Sequence, residues 1–226
     1  MKNIKGKAIY SSYSEMLSPE HTAVLVVDMQ NEGIDPHGYF GRIGADVGAV
    51  ARIVVPLGRF LAASRKAGVR VVYVVQTTLR DGKGDSPAWL HLKERAYKLV
   101  PPAMGLADDY MVLGTEGQQV IEEIRPSPSD TIVEKSRASG FVNTPLDLIL
   151  RSNGIRTVVV TGESSYGCVL NTVMDASCYD YYTVVVEDLI AGPNQDLHEA
   201  ALKLMRPRHD VLKSAEILEV WGASGH

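Results

Sequence analysis

Short, uninterrupted apolar runs recur along the chain, separated by longer segments in which apolar residues fall three or four positions apart. Runs of this kind are typical of strands covered on both faces of a sheet. Strands that alternate with helices are joined by crossovers, so the sheet should be mostly parallel. We predict strands over residues 23–27, 69–76, 131–135, 157–160 and 184–186, with a sixth, edge strand beginning near residue 211.

Helical spacing fills most of the intervals between these strands. The first helix should cover about residues 47–66, with Pro56 kinking it and Gly68 ending it. Further helices are predicted from residue 144, where a threonine cap is followed by proline, from residue 168, and over residues 196–205.

The pattern runs the length of the chain without a linker or a repeat, so residues 1–226 should form one domain. We predict an α/β fold with a doubly wound, Rossmann-like, mostly parallel sheet of six strands and helices on both faces. Residues 1–20 form a polar N-terminal arm, and residues 77–114 form an irregular, lid-like excursion. A structureless loop of that length is unusual, so a short helix is expected over residues 90–99. An ordinary packed excursion is the alternative to a lid.

The composition narrows the class of protein. The chain has 226 residues, 45% hydrophobic, with a net charge of −4 and no basic block, so neither nucleic acid nor a membrane surface is an expected partner. Apolar runs are too short to span a membrane, and residues 1–7 lack the apolar core of a secretion signal. Cys168 and Cys178 lie ten positions apart in one predicted helix. That separation, roughly 15 Å, is too long for a disulfide, so we expect a cytoplasmic protein.

Three predicted strands deliver a reactive side chain at or just beyond their carboxyl ends. Asp28 follows the first strand, Lys135 ends the third, and Cys168 begins the helix after the fourth. The carboxyl ends of parallel strands share one edge of a sheet, where open α/β folds bind ligands, so the three residues can meet in one crevice. Taken singly, two of them have plainer explanations: Asp28 as a turn cap and Cys168 as a small buried residue.

A thiol, a carboxylate and an ammonium group are what acyl transfer through a thioester requires. We expect Asp28 to take the proton of the Cys168 thiol and to return it to the leaving amine. Lys135 would hold the carboxylate and help to favour the thiolate. The first turn of a helix, with its unpaired N–H groups, also favours a thiolate. Amides near Ser164 and Cys168 should stabilise the oxyanion.

Several pieces of the sequence carry a family resemblance: residues 26–31 (VVDMQN), Lys135 with residues 139–146 (SGFVNTPL), and residues 154–162 (GIRTVVVTG) with a cysteine six positions further on. On these residues the chain resembles the isochorismatase-like cysteine hydrolases. That family includes nicotinamidases, N-carbamoylsarcosine amidase, maleamate amidase and ureidoacrylate amidases.

The resemblance implies the site and the assembly. It implies a catalytic triad of Asp28, Lys135 and Cys168. It also implies a cis peptide bond between Glu163 and Ser164, so that the backbone N–H groups of Ser164 and Cys168 form the oxyanion hole. Members of the family are usually homo-oligomers, so a dimer or a tetramer is expected.

Departures from the family limit the substrate prediction. Nicotinamidases carry metal-binding residues just after the second strand, where this chain has residues 76–80 (QTTLR), and its six histidines lack ligand spacing. We predict neither a metal nor a cofactor. N-carbamoylsarcosine amidase holds a substrate carboxylate with an arginine after the fifth strand. This chain has residues 191–193 (AGP) there, so Arg80 or Arg137 would have to replace that arginine.

Two residues near the cysteine also depart from the pattern, because Glu163 and Tyr166 fill positions that are commonly small or hydroxylic in the amidases. Tyr166 would narrow the pocket or donate a hydrogen bond to the substrate. The candidate substrate contacts are Gln30, Gln76, Trp89, Arg137 and Tyr166.

The expected function is that of a cysteine-dependent amidohydrolase. It would cleave a small carboxamide, ureido or N-carbamoyl compound through a covalent thioester, releasing ammonia or an amine. The alternatives are an isochorismatase-type hydrolase of a vinyl ether and a non-catalytic binding module of the same fold. Isochorismatases proper generally lack the nucleophilic cysteine, whereas Cys168 is present here. The sequence leaves the identity of the amide open.

Overall fold

The predicted alternation of strands and helices is present in the computed structural model, which describes residues 1–97 and 110–222. Within these ranges the strands are β1 (Lys2–Ile4), β2 (Lys7–Ile9), β3 (Thr22–Val27), β4 (Arg70–Gln76), β5 (Thr131–Lys135), β6 (Thr157–Gly162), β7 (Tyr182–Ile190) and β8 (Asp210–Leu212). The α-helices are α1 (Tyr13–Met16), α2 (Asn31–Ile34), α3 (Tyr39–Arg42), α4 (Val47–Lys66), α5 (Pro87–Tyr97), α6 (Leu146–Ser152), α7 (Cys168–Cys178), α8 (Gln195–Met205) and α9 (Ser214–Val220).

Six strands form one parallel sheet in the order β5-β4-β3-β6-β7-β8. The chain enters the sheet at its middle with β3, adds β4 and β5 on one side, and crosses back to add β6, β7 and β8 on the other. The predicted doubly wound α/β fold is therefore confirmed. The strand order reverses between β3 and β6. Connections leaving such a pair diverge to opposite faces, which opens a crevice at the carboxyl ends of the strands.

Both faces of the sheet are covered, and β3 shows why its sequence is apolar throughout. Val24 and Val26 pack in the cluster that contains the apolar residues of α4 and α9. Leu25 and Val27 point the other way, into the cluster formed with α6, α7 and α8. Because successive side chains of a strand alternate between faces, a strand between two helical layers must be apolar at nearly every position.

Helix α4 matches its predicted bounds. The Asp46 side chain caps it by accepting a hydrogen bond from the backbone N–H of Ala49 at 3.2 Å, and Gly68, with φ of 81°, follows its end. The helix continues through Pro56, which lies on its exposed side. By length and composition α4 could cross a membrane. Its apolar stripe instead packs against the sheet, in the position of a core helix.

Several boundaries differ from the predictions. The helix expected from residue 144 begins at Leu146, because the Thr144 hydroxyl accepts the Leu146 N–H from outside the helix at 3.2 Å. The helix expected over residues 90–99 begins earlier, at Pro87. Residues 98–109, part of the predicted lid, lie outside the described residues. The predicted edge strand is present as β8, which pairs with β7.

Gly162, the last residue of β6, is fixed by its surroundings. It has φ of 108°, and a Cβ atom placed on it would overlap the backbone of Val27 in the neighbouring strand.

We predict that Gly162→Ala lowers the free energy of unfolding by more than about 4 kcal/mol, since strain and a backbone clash combine. Gly154→Ala is the matched control, because Gly154 has φ of 70° but open space around it. It should cost about 1–2 kcal/mol. Urea denaturation followed by circular dichroism measures both, and equal losses would contradict the clash.

Candidate active site

A cavity of about 850 Å³ lies at the carboxyl edge of the sheet, where the strand order reverses. The ends of β3, β4 and β6 and the start of α7 contribute Asp28, Gln76, Glu163 and Cys168 to its lining. The remaining wall is largely apolar and aromatic, with Phe40, Val47, Trp89, Tyr110 and Val142 among its residues. A concave, mostly apolar site with a few convergent polar groups is the usual form of a small-molecule site.

The fold brings Asp28, Lys135 and Cys168 together, although they are far apart in sequence. Asp28 leaves β3 with φ of 51°, and its N–H donates to the carbonyl of Val74 at 2.9 Å. Lys135 is the last residue of β5, and Cys168 is the first residue of α7. Their positions follow from the sheet order, because β5, β4, β3 and β6 are neighbours and end at the same edge of the sheet.

The Lys135 ammonium group is the centre of these contacts. Its Nζ lies 2.8 Å from Oδ2 of Asp28, 3.0 Å from Oε1 of Gln76 and 3.3 Å from Sγ of Cys168. The Lys135 side chain is fully buried, so it depends on these partners. A lysine ammonium has three N–H donors, which matches the three acceptors.

Gln76 is held in place from behind by Gln30. The Gln30 amide accepts from the backbone N–H of Gln76 at 2.8 Å and donates to the Gln76 carbonyl at 2.8 Å. It also donates to the carbonyl of Gln118 at 2.6 Å. Gln30 is fully buried and is not part of the cavity wall, so its predicted role as a substrate contact must be corrected. It positions Gln76, the residue that lines the cavity.

The pKa of the Cys168 thiol is shifted in the direction opposite to the expected one. Burial, and next the nearby carboxylate of Asp28, raise the pKa of the Cys168 thiol to about 12, against the opposing effect of Lys135. The expected thiolate is therefore not favoured at rest, because loss of hydration outweighs the ammonium group and the helix N-terminus. Burial alone would lower the pKa of Lys135, but Asp28 and Cys168 raise it, so the lysine remains charged.

The loop before α7 presents unpaired N–H groups beside the thiol. The peptide bond between Glu163 and Ser164 is cis, as the resemblance implies. The N–H groups of Gly167 and Val169 donate to the Ser164 carbonyl at 2.9 and 3.1 Å. Within the described ranges, the N–H groups of Ser164 and Cys168 donate to no protein acceptor. They are thus free for a ligand oxygen.

Two cations lie in the wall formed partly by α5. The guanidinium carbon of Arg137 lies 5.1 Å from the centre of the Trp89 ring. The buried Nζ of Lys93 lies 5.1 Å from the centre of the Tyr110 ring and 2.9 Å from a carboxylate oxygen of Asp85. Lys93 was not among the residues predicted from the sequence. Its position one helical turn after Trp89 was the available signal.

Other predicted positions divide between the cavity and the surface. Trp89, Arg137 and Tyr166 line the cavity together with Gln76, whereas Arg80 is exposed and lies outside it. Tyr166 packs close to Gly192. Gly192 lies in the segment 191–193, where N-carbamoylsarcosine amidase carries an arginine and this chain does not. Across residues 1–97 and 110–222, no group of three His, Cys, Asp or Glu side chains is arranged to hold a metal ion.

Comparison with known proteins identifies the family. The isochorismatase domain model matches residues 22–216. The ureidoacrylate amidohydrolase RutB of Agrobacterium fabrum is 36% identical over 176 residues, which cover 76% of this chain and 76% of the relative. That of Methylorubrum extorquens is 37% identical over 188 residues, covering 80% of this chain and 75% of the relative.

Solved structures agree with this comparison. A cysteine hydrolase from Pseudomonas syringae pv. phaseolicola superposes with a TM-score of 0.75 at 26% identity, covering 92% of this chain and 95% of that one. N-carbamoylsarcosine amidase from Thermoplasma acidophilum gives a TM-score of 0.67 at 32% identity, covering 86% and 96%. The chain belongs to the isochorismatase family. It is a hydrolase of the amidohydrolase class, which acts on C–N bonds outside peptides.

The buried ion pair gives a testable energetic prediction. Asp28→Asn and Lys135→Met should each lower the free energy of unfolding by about 3–5 kcal/mol, because each leaves a buried charge without its partner. The double variant should lose less than the sum by roughly 2 kcal/mol or more. Urea denaturation of the four proteins measures this coupling.

The exposed pair Arg125–Glu122, at 2.9 Å, is the matched control. The same cycle with Glu122→Gln and Arg125→Met should give a coupling below about 1 kcal/mol. Additive losses at Asp28 and Lys135 would show that the buried contact does not stabilise the fold.

Proposed function

We propose that this amidohydrolase uses Cys168 as a nucleophile and cleaves a small ureido or N-carbamoyl compound through a thioester. The observation that carries the proposal is the contact of one buried ammonium group, that of Lys135, with both the Asp28 carboxylate and the Cys168 sulfur. Nucleophile, base and cation thereby lie within one hydrogen-bonded cluster that lines the cavity.

The first half of the reaction forms the thioester. The Cys168 sulfur attacks the substrate carbonyl carbon while Asp28 accepts the thiol proton. Oδ1 of Asp28 is buried and has no partner among the described residues, so it is available as the acceptor. The carbonyl oxygen becomes an oxyanion, which accepts hydrogen bonds from the N–H groups of Ser164 and Cys168. Collapse breaks the C–N bond, and the departing nitrogen takes the proton from Asp28.

The second half restores the enzyme. Asp28 accepts a proton from water, and the oxygen attacks the thioester carbon to form a second oxyanion. Its collapse releases the acid, or carbamate from a ureido substrate, and Cys168 regains its proton from Asp28. Lys135 is charged at rest, because Asp28 and Cys168 raise its pKa against the effect of burial, and it takes no part in the proton transfers. Its role is to position the carboxylate and to stabilise negative charge on sulfur and oxygen.

The far wall of the cavity favours a substrate that also carries a carboxylate. Arg137 lines the cavity beside Trp89 and forms no ion pair within the described residues. Its guanidinium group donates to the backbone carbonyls of Ser136 and Gly84, which leaves its positive charge without a carboxylate partner. Lys93 adds a second, partly compensated positive charge. Ureidoacrylate, named for the relatives, combines a ureido group with such a carboxylate. We therefore propose a ureido acid as the substrate class.

We also propose that the protein works in the cytoplasm and assembles as a homodimer or tetramer. The free thiols of Cys168 and Cys178 are compatible with a reducing cytoplasm. Exposed apolar side chains, including those of Val55, Leu148 and Leu204, are available for the contacts of a homodimer or tetramer.

Removal of the nucleophile tests the mechanism. Cys168→Ala should lower ammonia release from ureidoacrylate by at least about 10³-fold, because no second nucleophile can form the acyl intermediate. Cys178→Ala is the control, since that exposed cysteine ends α7 away from the cavity. Mass spectrometry of enzyme quenched during turnover should place the acyl adduct on Cys168. Turnover by Cys168→Ala, or an adduct on Cys178 alone, would refute the assignment.

The proposed carboxylate contact makes a separate prediction. Arg137→Ala should raise KM for ureidoacrylate by about 10- to 100-fold, the loss expected for one hydrogen bond to a charged group. KM for an uncharged amide such as nicotinamide should change little. Arg80→Ala, at an exposed arginine outside the cavity, is the control. Equal effects of Arg137→Ala on charged and uncharged substrates would show that Arg137 shapes the wall without binding the carboxylate.

A further inference from the structure

A second carboxyl group lies in the cavity and has no part in the mechanism above. Glu163 follows β6, and its backbone N–H donates to the Val27 carbonyl at 2.9 Å. The residue is 8% exposed and lines the cavity with Asp28 and Cys168. Its carboxyl group forms no hydrogen bond to any residue in the described ranges. A buried polar group with no partner in the protein is costly and calls for a functional explanation.

The backbone beneath Glu163 is shaped to receive this side chain. Gly33 in α2 lies against it, and a Cβ atom placed on Gly33 would overlap the Glu163 carboxyl oxygen and crowd the Met111 side chain. The neighbouring Glu32 carboxylate is engaged elsewhere, where it accepts from the backbone N–H of Met111. The carboxyl group therefore occupies a fitted space at the cavity wall.

Burial and the surrounding charges favour the neutral form of Glu163. The titratable groups that act on its charge are Asp28 after β3 and Lys135 at the end of β5. The other titratable or charged groups that line the cavity are Tyr166, Cys168, Lys93, Tyr110, Arg137 and Asp175. The positive charge of Lys135 is already matched by Asp28. Burial first, and then the charge of Asp28, raise the pKa of Glu163 well above its ordinary value, and Lys135 only partly opposes them.

We propose that Glu163 is a substrate-binding residue whose carboxyl group recognises the N–H and C=O edge of the ureido or amide group. A neutral carboxyl group offers one O–H donor and one C=O acceptor side by side. An amide or ureido edge offers the complementary acceptor and donor. This inference rests on the proposed amide hydrolysis and adds a specificity residue to it.

A purely structural role makes different predictions from a binding role. A buried acid that holds its proton when folded, and loses it when unfolded, destabilises the fold progressively as pH rises above about 4.5, its ordinary pKa. Glu163→Gln and Glu163→Leu should therefore raise Tm at pH 8, by roughly 2–4 °C, and less at pH 5. If Glu163 served the fold, both variants would lower Tm.

Activity separates binding from stability. Glu163→Leu should raise KM for ureidoacrylate by at least about tenfold, because it removes both hydrogen bonds. Glu163→Gln, which keeps a donor and an acceptor, should recover most of that loss. Wild-type kcat/KM should fall at alkaline pH as Glu163 ionises, and this fall should be absent in Glu163→Gln. Glu219→Gln, at an exposed acid in α9, controls for loss of a carboxyl group.

The outcomes distinguish this inference from the proposed function. If the wild-type protein releases no ammonia from ureidoacrylate or from related amides, the proposed function fails. If the wild type is active and Glu163→Leu has unchanged KM, or if both variants lose stability, Glu163 is not the substrate-binding acid. A fall in kcat/KM at alkaline pH that persists in Glu163→Gln would likewise show that ionisation of Glu163 is not its cause, and that substrate binding does not need the neutral acid.

Discussion

The structure depends on one buried ammonium group. Lys135 is removed from water, and such a charge is tolerated in a protein interior only where acceptors replace its hydration. The acceptors come from three other elements: Asp28 after β3, Gln76 at the end of β4 and Cys168 at the start of α7. Their convergence requires β5, β4, β3 and β6 to be neighbours in that order. The ion cluster and the sheet topology therefore specify each other.

The same burial determines how the proposed chemistry must proceed. In a poorly hydrated site, the contact between Lys135 and Asp28 is strong, but the Cys168 thiol also holds its proton more tightly. The enzyme cannot rely on a standing population of thiolate, as a solvated cysteine near a helix N-terminus would. In that mechanism, proton transfer to Asp28 must accompany attack on the carbonyl. A base beside the nucleophile thus activates the thiol, which in a solvated site a lowered thiol pKa would do.

The sequence predicts what depends on strand order, and it misses what depends on side-chain surroundings. Apolar runs and strand ends suffice to place Asp28, Lys135 and Cys168 at one edge, because that edge follows from the topology. They do not distinguish Gln76 in the cavity from Gln30 behind it. Both residues lie at or just beyond the end of a strand, and the sequence does not show which way each side chain points. The sequence likewise shows that Cys168 starts a helix but not how deeply it is buried, so the expected lowering of the thiol pKa was in the wrong direction.

The charges in the cavity can be followed through the reaction, and they explain why Glu163 is best left neutral. At rest Asp28 is negative, Lys135 is positive and the thiol is uncharged. In the proposed mechanism, Asp28 becomes neutral when sulfur attacks and one negative charge appears on the substrate oxygen, so the net charge of the buried site does not change. Moving a charge within a poorly hydrated site costs less than creating a new one. An ionised Glu163 would add a negative charge beside that oxyanion and oppose its formation. On the proposed mechanism, the burial that favours the proton on Glu163 therefore serves the same transition state as the Lys135–Asp28 pair. Asp28 and Glu163 differ because both are buried but, of the two, only Asp28 contacts the ammonium group.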